Sequence, residues 1–87
     1  MSVFTADVVY CADEGYKAEQ RGQWLQAAKW YWMSMWSYGA AEDPYHVMCY
    51  YEESCRDYDR CLGHLNGWQR LRLRIWEKWK EFVLRNR

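Results

Sequence analysis

His46-x-x-Cys49, Cys55 and Cys61-x-x-His64 come nearest to a chemical motif in this chain, because imidazole and thiolate are the ligands zinc prefers. A zinc site needs its ligands to converge on one ion at about 2.0–2.3 Å. A continuous helix forbids this here: Cys49, Cys55 and Cys61 fall six residues apart, and at about 100° per residue they point to three different faces. No metal and no cofactor is therefore expected; Cys55 reads as a core residue and the other four as incidental. Catalysis has no better footing. The chain has two His, no Ser or Cys in a nucleophile motif and no glycine-rich phosphate loop, and its carboxylates fall on what read as solvated helix faces. The expectation is a protein that is not an enzyme.

Binding remains, and the charge distribution says where. The formal net charge is zero, yet residues 1 to 65 carry five basic and ten acidic side chains. Residues 66 to 87 carry seven basic ones (Arg70, Arg72, Arg74, Lys78, Lys80, Arg85 and Arg87) against Glu77 and Glu81. An acidic body with a basic tail suits contact with nucleic acid, or packing of the tail on an acidic surface of its own or a second chain. Arg70, Arg74, Lys78 and Arg85 share one side of a helix and are the candidates for phosphate contact. The neutral total, the two glutamates and the lack of polar base-reading side chains make nucleic acid the second choice behind a protein partner.

The elements that must position these residues are read from punctuation and period. Seven Trp, eight Tyr and two Phe in 87 residues exceed what a small core needs, so some rings are expected on a contact surface. With one proline, five glycines and no linker, the chain reads as one domain of closely connected helices. The first helix is predicted over about 5–20, with Val8, Cys11, Ala12, Gly15 and Ala18 on one face of small residues. Gly22 interrupts, and a second helix follows over about 23–38, capped by Gly39. Trp24, Ala28, Tyr31, Trp32 and Met35 form its expected core side. Gln23, Gln26, Lys29, Ser34 and Ser37 form its expected wet side.

Asp43-Pro44 signals the start of a third helix over about 44–62, with Val47, Met48, Tyr51, Cys55, Tyr58 and Leu62 as its buried stripe. Asn66 can cap a fourth over about 67–86, predicted to bury Trp68, Leu71, Ile75, Trp79 and Phe82. Leu73, Trp76, Val83 and Leu84 extend its apolar surface to a second side, which implies a second chain. The architecture predicted is all-α, an antiparallel bundle of three to four helices, and a homodimer is expected. Gly22 to Ala41 carries the single charge Lys29, but glutamine and serine recur through it at helical spacing, so no membrane association is expected. Met1 to Tyr10 has no secretory pattern, which makes a cytoplasmic setting with reduced thiols the expectation.

The run from Ala18 to Tyr31 has a further grammar. Gly15, Ala18, Gly22, Trp24, Ala27 and Tyr31 resemble the helical hairpin of a tetratricopeptide repeat, present once and without the repetition an array needs. Glu19, Trp24, Ala27, Ala28, Trp30 and the segment Glu52-Glu53-Ser54-Cys55 are similar to the ANR and PerC-like groups of small bacterial and prophage transcriptional regulators. That resemblance covers about the first two thirds of the chain. It implies an accessory protein, encoded by a phage or other mobile element, that modulates transcription by binding a host or phage regulatory protein. The partner-binding candidates are Trp30 and Met33, apolar residues within the polar arc of the second helix, together with Leu73, Trp76 and Leu84 on the second side of the fourth.

Overall fold

The computed structural model describes residues 3–39 and 48–86, and all regular structure among them is helical: α1 (Val3–Gln20), α2 (Trp24–Gly39), α3 (Met48–Gly63) and α4 (Gly67–Arg85). The fold is the expected all-α bundle, with a Cα radius of gyration of 12.6 Å. Asp43, Pro44, His46 and Val47, which carried part of the expected third helix, lie outside the described residues. None of the described helices is long and apolar enough to cross a membrane.

The hairpin of α1 and α2 is the tightest part of the molecule. Gly22 takes φ 74°, which glycine reaches without a Cβ penalty. The Gln23 amide then donates to the Ala18 carbonyl and the Gly22 amide to the Glu19 carbonyl, both at 3.0 Å, so the last carbonyls of α1 are satisfied in a Schellman turn. The cap expected at Gly39 is not formed: α2 runs through it, and among the described residues only Gly22 has a positive φ. The small-residue face of α1 is buried at Val8, Cys11, Gly15 and Ala18, and Tyr31 of α2 fills the space it leaves. A Cβ added to Gly15 would lie 2.8 Å from the Tyr31 ring.

Two expectations for α2 and α3 are corrected. Ser34 and Ser37, placed on the wet side, are buried, and so is Ser54 of α3. The Ser34 hydroxyl donates to the Val8 carbonyl at 2.9 Å and accepts from the Ser54 hydroxyl at 3.1 Å. A hydroxyl this small lets α1, α2 and α3 meet closely and still finds partners, so polarity at these positions does not mean water. The buried line of α3 accordingly runs through Ser54 and Cys61. Tyr51, Cys55, Tyr58 and Leu62 are half-buried and Met48 is exposed. Cys61, expected to be incidental, belongs to the core with Ala18, Ala27, Ala28, Tyr31, Leu65 and Leu73. Glu19 ties three helices: the Tyr31 hydroxyl donates to it at 2.8 Å, and the Arg60 guanidinium donates through two nitrogens at 2.8 and 2.9 Å.

The largest correction concerns the rotation of α4. The stripe predicted to be buried, Trp68, Leu71, Ile75, Trp79 and Phe82, is exposed, and the second side faces the bundle, with Leu73 only 1% exposed. Two polar contacts with α3 fix this rotation. The Arg70 guanidinium donates twice to the Leu62 carbonyl at the end of α3, at 2.8 and 3.1 Å. The Tyr58 hydroxyl donates to Glu77. Asn66 caps the helix by accepting from the Gln69 amide at 2.8 Å, while Gln69 accepts from the Asn66 amide at 3.1 Å. Turning the bulky stripe inward would break the Arg70 and Glu77 contacts and force two tryptophans and a phenylalanine into space that Leu73 fills.

Candidate interaction site

The rotation of α4 leaves an apolar ridge on the outside of the bundle. Trp68, Leu71, Ile75, Trp79 and Phe82 recur at three- and four-residue spacing and span an arc of roughly 80°. They are 49% to 68% exposed. With aromatic side chains offering about 150–250 Å² each, the ridge exposes on the order of 600 Å². That is the upper end of the largest apolar patch of a typical monomer, about 300–600 Å².

Beside the ridge runs a groove between α4 and α2. One part, about 340 Å³, is walled by Leu25, Ile75, Trp76 and Trp79, with Lys29 and Arg72 at its edge. The next part, about 250 Å³, shares Lys29 and Trp76 and adds Trp30, Met33 and Lys80. Trp76 stands between them, edge-on to Trp32 with ring centroids 5.4 Å apart. Trp30 is held from the α1 side by Tyr10, whose ring meets it edge-on at 5.8 Å. The Lys29 ammonium lies 5.4 Å from the centre of the Trp76 ring and the Lys80 ammonium 5.8 Å from that of Trp79. Among the described residues, the charged groups lining both parts are the cations Lys29, Arg72 and Lys80.

Of the partner-binding candidates, the structure brings Trp30, Met33 and Trp76 together around this groove. Leu73 is not with them, being enclosed in the core, and Leu84 is half-buried away from the groove lining. Sequence reasoning missed Leu25, Lys29, Arg72 and Lys80, and it set Ile75 and Trp79 on the wrong side. The flanking position of Arg72 and Lys80 was visible on a helical wheel, but only the rotation of α4 shows which cleft they border.

The candidates for phosphate contact are largely occupied within the chain. Arg70 holds the end of α3, Arg85 is paired with Glu81, and Arg74 lies by Glu77 and opposes the rise in its pKa. Lys78 is exposed. Burial pushes the Glu77 carboxyl above its ordinary range, opposed by the bonded Tyr58 hydroxyl and by Arg74.

The two buried thiols are unsuited to attack. Burial raises the Cys11 and Cys61 thiols to about 11, helped by Asp7 and Glu14 at the first and by Glu19 at the second, and a neutral thiol is a poor nucleophile. Cys49 is exposed, and His64 is stacked on Trp24 with centroids 3.8 Å apart. The structure therefore spreads the described members of the zinc-like spacing over different environments; His46 lies outside the described residues. No family model, no curated protein and no solved structure matches the chain.

Proposed function

We propose that this chain is a small accessory protein without catalytic activity, which regulates by docking on another protein of the host or a phage through α4 and the groove beside it. The exposed ridge carries this reading. Five large apolar side chains in register along a helix of about 28 Å lose free energy in water, and covering them with a partner recovers it at roughly 25 cal/mol per Å² before the costs of association. Ridge and groove together approach the about 800 Å² per partner of a stable complex. A homodimer, which the sequence put on the other side of α4 at Leu73, Trp76 and Leu84, remains part of the proposal, through the ridge instead because Leu73 is enclosed in the core. Its weakness is that two copies of α4 bring Arg72, Arg74 and Lys78 against the same cations.

The test replaces Ile75 and Trp79 together by serine, both on the outer face of α4. Circular dichroism and melting temperature should stay close to wild type. Sedimentation of the pure protein and affinity capture from bacterial lysate should show associations of the wild type that the variant loses. Identical behaviour of the two would reject the reading.

A further inference from the structure

We propose that the groove between α2 and α4 receives an amphipathic helix of a second protein whose apolar stripe is flanked by carboxylates. This rests on the docking reading above and adds the chemistry of the partner. Shape comes first. A flat bilayer meets only the ridge, whereas a cleft walled by Leu25, Met33 and Trp76 on one side of that ridge admits side chains projecting from a narrow rod. The lining runs from Leu25 to Met33 on α2 and from Arg72 to Lys80 on α4, about 12 Å on each helix, which matches two to three turns of a partner helix.

Charge decides the flanks. Lys29, Arg72 and Lys80 border the groove, and among the described residues none has a carboxylate within ion-pair distance. Lys29 and Lys80 rest over tryptophan rings instead, while Arg60 and Arg85 have found carboxylates of their own. An incoming carboxylate gains a charge-assisted hydrogen bond and meets no repelling acid among the described residues that line the groove; an incoming cation meets three of its own sign. A second copy presenting α4 brings that same sign, so self-pairing is the less favoured occupant.

The experiment uses the full chain and two dye-labelled synthetic peptides of about fourteen residues, long enough to form helix when bound. Both carry the same leucines at three- and four-residue spacing, with glutamates flanking them in one and lysines in the other. Fluorescence anisotropy should show the glutamate peptide binding about tenfold tighter than its twin, the combined effect of three exposed ion pairs. That advantage should shrink as salt rises. Lys29→Glu, Arg72→Glu and Lys80→Glu together should reverse the order with helical content unchanged. Should this triple variant unfold, Arg72→Glu alone must still narrow the gap between the peptides.

Equal binding of the two peptides would overturn the acidic partner and leave docking standing. Binding of neither, with the serine variant indistinguishable from wild type in capture, would overturn both. Two further results would also reject the acidic partner. One is capture of phosphatidylglycerol vesicles without peptide binding, and the other is a dimer whose formation blocks the peptide.

Discussion

A single missing methyl group sets how closely the first two helices approach. Gly15 lies against the Tyr31 ring, which is itself fixed because its hydroxyl donates to Glu19. Gly15→Ala gains about 1 kcal/mol of helix propensity. It must also push aside a buried, bonded ring, an overpacking that costs about 1–3 kcal/mol. Net destabilisation in urea is expected, and a gain in stability would mean that the ring moves freely. Glu77 makes a second residue-level case. Its carboxyl is raised by burial, so the native state holds that proton to higher pH than the unfolded chain does. The contribution of Glu77 to stability is therefore present below the ordinary carboxylate range and declines as pH rises through it towards the raised native value. Glu77→Gln keeps an acceptor for Tyr58 and has no proton to lose. The variant is expected to gain on wild type as pH climbs through that window in paired denaturation curves; a constant difference would show that Glu77 titrates as it does in the unfolded chain.

Each helix was legible in the sequence to the extent that its local signals agreed. Gly22, the small face of α1 and the ring of Tyr31 were readable because they form one local hairpin whose partners are adjacent in the chain. The capping box of α4 was half-readable: Asn66 announced the start, but its reciprocal partner Gln69 was not recognised. Asn66→Ala is expected to cost about 1 kcal/mol, lowering the melting temperature by about 4–8 °C for a domain of this size. Amide exchange should quicken in the first turn of α4 and not in α1; an unchanged first turn would mean that Gln69 alone holds the start. What the sequence concealed was the rotation of α4. Its two apolar sides are equally plausible by period, and the heavier one looks like core. The decision lies with Arg70, Tyr58 and Glu77, whose contacts with or across α3 form only in the assembled bundle. The groove shared this fate. Trp30, Met33 and Trp76 were singled out separately, while their meeting, and the cations that border it, depend on how α4 lies along α2. Ser34 and Ser54 were hidden for another reason, since two hydroxyls that satisfy each other look like surface until their partner is known.

In the whole molecule, stability is unevenly shared. The core cluster draws on all four helices, yet Leu73 is the one fully buried residue of α4 among those described. The α1–α2 hairpin is bound through Val8, Ala18, Ala27, Ala28 and Tyr31. Native-state hydrogen exchange should therefore show α4 amides opening together at lower free energy than those of α1 and α2. A single common opening energy would mean that the bundle unfolds only as a unit. The same division has a consequence during synthesis on the ribosome. The α1–α2 hairpin joins neighbours in the chain and can close while later residues are still being added, because short loops close fast. When α4 emerges it meets a preformed seat for Leu73, and its ridge faces outward as soon as the helix docks. A partner could then be engaged by the nascent chain without any later rearrangement to uncover the surface.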